Sequence, residues 1–190
     1  MEIKIHTTST IVHWPITEDP VLPAVRVGNS PLKGEGTVAS PAGVQVVVLS
    51  GRNPSTVQLN RYYSLPAQRH WYLTYMDMWN TIAGDVKPVA ADHSILIVAT
   101  FGIHANMPPT DAAATLLRRA GAGQELTQWI ENCQPGSQSG NPTMWIDHPL
   151  AYAFVGVFVN TSSAEKVSRS WNQAVTVDLD TIVPDLALAG

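Results

Sequence analysis

The chain reads as an α/β protein: a β-β-α-β-α-(α)-β core with strand-rich arms at both ends. Three observations predict this. The runs Gly43–Gly51, Ile95–Phe101 and Leu150–Asn160 carry no charge and are apolar on both faces, the mark of strands covered on two sides. Between them lie two stretches of helical period, one aromatic and one rich in alanine. Residues 1–42 and 161–190 are rich in polar, Pro and Gly residues and hold short alternating runs.

Taken in order, "IKIHTTSTIVHW" alternates loosely and predicts one or two strands. The stretch from Glu18 to Pro41 is extended with turns, because Pro20, Pro23, Pro31 and Pro41 forbid a helix there. In Gly43–Gly51, Val44, Val46 and Val48 face one way and Val47 and Leu49 the other. After the turn "NPS", Thr56–Leu65 alternates as a second strand, antiparallel to the first. Gln68–Ala83 predicts a helix with Trp71, Tyr72, Tyr75, Met78, Trp79 and Ile82 on one broad apolar face, and Gly84 stands where a left-handed cap belongs. An aromatic stripe of this kind is core material first. Ile95–Phe101 is the central strand. Thr110 follows two prolines and is a good N-cap, with Asp111 at the positive end of the helix dipole. That helix runs to Ala120, and Gly121 stops it. "QELTQWIEN" is a short second helix, "TMWID" a strand, Leu150–Asn160 a strand, and "QAVTVDLDTIV" an alternating strand in the tail.

Only 14% of residues are charged, where a quarter is typical. Two surfaces fit: one of uncharged polar side chains, or one largely covered by neighbouring subunits. The net charge of −4 and the lack of any Lys/Arg run argue against nucleic-acid binding. Cys133 is the single cysteine, which excludes an intramolecular disulfide and a Cys-based zinc site; a packed thiol is expected. The N-terminus lacks a basic segment followed by a long apolar stretch, so no signal peptide is expected. Production in the cytoplasm follows, and the Asn160-Thr161-Ser162 sequon is discounted. No apolar run is long enough for a membrane helix.

The segment linking the central strand to the alanine-rich helix holds His104 and Asn106. It has prolines where a phosphate-cradling loop needs glycines, so it is neither a P-loop nor a dinucleotide fingerprint. No Gly-x-Ser-x-Gly elbow exists, and Cys133 has no local partner pattern. The six histidines are scattered. Asp92-His93 and Asp147-His148 flank predicted strands, but sequence neighbours on a strand point to opposite sides, so neither pair is itself a chelate. No metal and no cofactor are implied. Aromatic faces with Asn, Asp and His on loops suit a sugar. On that ground His104, Asn106, Trp145, Asp147 and His148 are the candidate ligand contacts; the same aromatics suit a protein interface.

The strand "GVQVVVLSGRNPSTVQLNRYYSL", the helix after it, "HSILIVATFG", "PPTDAAATLLRRAGA" and "DHPLAYAFVG" together resemble the domain of the interleukin-like epithelial–mesenchymal transition inducers and pancreatic-derived factors. The resemblance spans residues 43–158, with Gly43, Gly121 and Gly156 as its landmarks. Val157 replaces the second glycine of the closing pair, and the family's paired cysteines are absent. The resemblance implies a compact sandwich of a mixed β-sheet with helices and no enzymatic chemistry. The family's relatives include secreted signalling proteins, a sugar-recognising stem domain of a glycosyltransferase, and domains of phage tail fibres.

Three units are therefore expected: an N-terminal arm 1–42, a domain 43–160 and a C-terminal extension 161–190. The expected function is a non-catalytic interaction module, a phage or bacterial surface or virion component (tail, fibre or capsid-attached) that binds carbohydrate. Its arms would contact other structural subunits in an oligomer or assembly, with no nucleic acid and no membrane as partner. The alternatives are a free-standing sugar-binding protein and, behind it, a small hydrolase using Asp/His pairs at strand ends.

Overall fold

A computed structural model describes residues 2–9, 23–34, 42–65, 71–133, 149–159, 162–170 and 173–180. The chain is α/β, with antiparallel sheets and three helices among those residues.

The strands are β1 (Glu2–Ser9), β2 (Ala24–Val27), β3 (Ser30–Leu32), β4 (Gly43–Leu49), β5 (Val57–Ser64), β6 (Ile95–Phe101), β7 (Ile103–His104), β8 (Pro149–Val157), β9 (Ser163–Ser168) and β10 (Gln173–Asp180). The helices are α1 (Trp71–Val86), α2 (Asp111–Arg119) and α3 (Gln124–Asn132). The central sheet runs β5-β4-β6-β8, with β7 and β9 both paired to β8. A second, outer sheet runs β10-β1-β2-β3. Every pairing among the described residues is antiparallel, in place of the mixed sheet implied by the resemblance. The physical reason is the connections: β4 to β5 is a hairpin, and α1 carries the chain back to the end where β4 finishes and β5 begins, so β6 must run against β4.

Two cores explain the charge-free strands. One face of the central sheet, with Val46, Val48, Leu96, Val98, Tyr152 and Phe154, packs against the three helices. The other face, with Val47, Ile97, Ala153 and Val155, packs against Ile3, Ile5, Val25, Val175 and Val177 of the outer sheet. Each such fully buried side chain contributes about 1.5–3 kcal/mol. Residues from both predicted arms thus form the layer that closes the central sheet: Glu2 pairs with Asp180 and Ser9 with Gln173.

Thr100 ties the layers together. Four steps along β6 and β7, from Ala99 to Ile103, match three along β8, from Ala153 to Leu150, so one residue bulges. The bulge would orphan the Tyr152 N–H, which donates instead to Thr100 Oγ1 at 2.8 Å. The Thr100 carbonyl accepts the hydroxyl of Thr7 from the outer sheet. All of this is buried, where an unmade hydrogen bond costs most.

Several helix signals resolve differently from the expectation. Gly84 does not stop α1, which runs through it to Val86; Pro88, unable to donate, follows the end. Thr110 is the N-cap of α2, but its hydroxyl donates to Asn80 Oδ1 at 2.9 Å and caps nothing. The N-cap of α3 is Gly123, which has no side chain. Glu165 of β9 supplies the missing acceptor: its Oε1 takes the N–H groups of Gly123 and Glu125 at 2.8 and 3.0 Å, and its Oε2 takes the Tyr152 hydroxyl at 3.0 Å. A carboxylate there also meets the positive end of the helix dipole. At Gly156 the end of α2 lies on the sheet so closely that a Cβ would fall 1.9 Å from the Ala120 carbonyl oxygen. The predicted strand "TMWID" and the start of the aromatic helix before Trp71 lie outside the described residues.

Candidate functional site

The central sheet presents two ends. At one, β6 leads into the segment that carries His104 and Asn106. This segment is clamped from beneath. Trp79 Nε1 donates to the Met107 carbonyl at 3.2 Å, Trp129 Nε1 to the Ala105 carbonyl at 2.7 Å, and Cys133 Sγ to the same Ala105 oxygen at 2.9 Å. The two indoles meet edge to face at 6.2 Å. His104 is half-buried and held in β7 opposite Pro149. Asn106 is half-buried too, and its Oδ1 atom is buried with no hydrogen-bond partner among the described residues. Trp145, Asp147 and His148 lie outside the described residues. Burial pushes the Cys133 thiol up to about 11, against a smaller opposing pull from Arg169, so at neutral pH it is a protonated, packed thiol.

At the opposite end, where β4 finishes and β6 begins, the surface opens into a cleft of about 580 Å³. Ser50, Arg52, Gln58, Asp92, His93 and Ser94 supply its polar lining. Its walls are preformed. The 50–56 turn is closed by Ser50 N to the Thr56 carbonyl at 2.9 Å and Thr56 N to the Asn53 carbonyl at 2.8 Å. The 91–94 turn is closed by Ser94 N to the Ala91 carbonyl at 3.1 Å. Ser94 Oγ donates to Gln58 Oε1 at 3.5 Å. The two turns touch at Gly51, where a Cβ would stand 2.5 Å from the His93 carbonyl carbon and 2.8 Å from the Asp92 oxygen.

The backbone is strained at this end. His93 has φ 64° and Val159 has φ 63°. Left-handed conformation is uncommon for histidine and a genuine outlier for a β-branched residue. Val159 is also 67% exposed, so no burial offsets its strain. Strain of this kind clusters at functional sites.

The cleft can therefore offer a guanidinium, a carboxylate, an imidazole, an amide and the Ser50 hydroxyl to a ligand, while the buried Ser94 hydroxyl serves Gln58 and the Val89 carbonyl. Among the described residues no three His, Cys, Asp or Glu side chains group to hold a metal ion. Asp92-His93 stood out in the sequence as flanking a strand. Its place in a cleft was not legible there, because the opposite wall comes from the β4–β5 turn, some forty residues earlier. Arg52 and Gln58 carried no signal of their own.

No family model matches the chain, and no curated protein matches it. No helix among the described residues is long and apolar enough to cross a membrane.

Proposed function

We propose that the chain is a non-catalytic binding module that takes a polyhydroxylated ligand, a carbohydrate, in the cleft between the 50–56 and 91–94 turns. The observation that carries this reading is a preformed polar cleft of about 580 Å³, a size suited to one or a few sugar units. Ser50, Gln58 and Asp92 provide the mix of donors and acceptors that hydroxyl groups need. The wider role is that of a phage or bacterial surface component, in line with the low charge fraction of 14% and with the resemblance to a family that includes tail-fibre domains. Genes for tail or capsid proteins beside its own would support that role; an isolated metabolic setting would count against it.

A glycan array read with the wild type and with Asp92→Ala tests the binding reading. A defined glycan class bound by the wild type and lost in the variant is expected. An array without hits, or hits identical in both proteins, would contradict it.

A second reading places recognition at the other end of the sheet, through His104 and Asn106. The partnerless Asn106 Oδ1 favours it, as an acceptor for a ligand's N–H or O–H.

A further inference from the structure

The charge at this end of the sheet is lopsided. Arg52 lines it and forms no ion pair among the described residues. His93 lines the same cleft, and its N–H donates to the Phe158 carbonyl at 3.0 Å. The ring of Phe158 lies 5.6 Å from the guanidinium carbon of Arg119, a residue that is exposed and equally without an ion pair among the described residues. This end of the central sheet thus holds a pair of positive charges, Arg52 and Arg119.

The acids nearby do not cancel it. Asp92 is the one carboxylate lining the cleft. Asp85 is engaged by Arg61 at 3.0 Å and Tyr63 at 2.8 Å, and Glu165 by the first turn of α3. Glu125 sits in that same turn, at the positive end of its dipole. Glu2 and Asp178 are on the solvent face of the outer sheet, since their neighbours Ile3 and Val177 face its core. Acids outnumber Lys and Arg 15 to 11 in the whole chain, yet of the acids among the described residues only Asp92 lines this cleft. Arg118 and Arg119 also complement the negative end of α2. Arg52 stands on a turn with no helix behind it, and its charge has no comparable part in the fold.

We infer that the ligand of this cleft is an acidic glycan. Its carboxylate or sulfate meets the Arg52 guanidinium, whose planar fork matches such groups with two parallel hydrogen bonds. Its hydroxyls meet Ser50, Gln58 and Asp92, and Arg119 receives the next charge along the polymer. This inference rests on the binding reading above.

The test is calorimetric titration of the intact chain, with chemical-shift mapping, against three oligosaccharides of equal length: a polyuronate, a sulfated one and a neutral one. At low salt at least one acidic sugar should bind about tenfold tighter than the neutral one, and the gap should narrow at high salt. Arg52→Gln should remove that gap. The better acidic arm identifies the anion. Equal affinity for neutral and acidic sugars in the cleft, or an undiminished gap in Arg52→Gln, would overturn the acidic ligand while leaving carbohydrate binding in place. No shifts in the cleft with any of the three would overturn carbohydrate binding itself, and the acidic ligand with it.

Discussion

His93 and Val159 face each other across the end of the central sheet, both in left-handed backbone conformation, with φ 64° and 63°. The His93 N–H bonds the carbonyl of Phe158, the residue before Val159, and the Phe158 N–H bonds the Ser94 carbonyl, the residue after His93, both at 3.0 Å. Two left-handed residues thus flank this end of the sheet, and His93 also lines the cleft.

Val159→Gly should stabilise the chain by about 1 kcal/mol, because glycine adopts the left-handed region freely and the exposed valine loses little burial. Urea denaturation checks this. An unchanged or lower midpoint would mean that the valine is not strained in solution.

Gly51→Ala should damage the cleft more than the fold. The new methyl would press on the Asp92 and His93 backbone, and backbone cannot rotate aside as a side chain can. Ligand affinity should fall by about tenfold or more, with a stability loss of about 1–2 kcal/mol. Gly156→Ala acts the other way. It forces α2 off the sheet at the Ala120 carbonyl and should cost about 3 kcal/mol.

Glu165→Ala should destabilise the chain by about 2 kcal/mol, because two N–H groups of α3 and the buried Tyr152 hydroxyl lose one shared acceptor. Glu165→Gln retains an acceptor and should cost about half as much. Equal losses would show that the side chain acts by packing alone.

The Cys133 thiol gives a pH signature. Burial raises it from an ordinary 9.0 to about 11, so the folded chain holds this proton more tightly than the unfolded chain does. Its contribution to stability is therefore complete below pH 9 and declines as pH rises from about 9 to about 11. Thiol alkylation of the native protein should be far slower at pH 8 than in denaturant, and its rate should climb until about pH 11. Labelling that plateaus near pH 9 would contradict the burial.

How much of this was legible in the sequence depends on range. Strand β6 and helix α3 fall where the residues alone place them, because a charge-free run and a two-turn amphipathic stretch are local signals. That β1 pairs with β10 was not legible: Ile5 and Val177 are 172 residues apart, and alternation shows a half-buried strand without naming its partner. Strand β9 went unseen because "SAEKVS" carries two charges and little alternation; it is an edge strand, and Glu165 is there to cap a helix. Gly84 misled because helix propensity yields to context when a stronger breaker, Pro88, lies just beyond. The indole donors of Trp79 and Trp129 that clamp the segment with His104 and Asn106 reach it only in three dimensions. The cleft itself joins two turns that nothing in the sequence connects.

The central claim is that recognition happens at the Arg52–His93 end of the sheet. Backbone chemical-shift mapping of the intact chain with a bound oligosaccharide tests it most directly. The account predicts shifts concentrated at Ser50, Arg52, Gln58, Asp92, His93 and Ser94, with Ala105–Met107 unmoved. Shifts confined to His104–Met107, with the cleft silent, would contradict it.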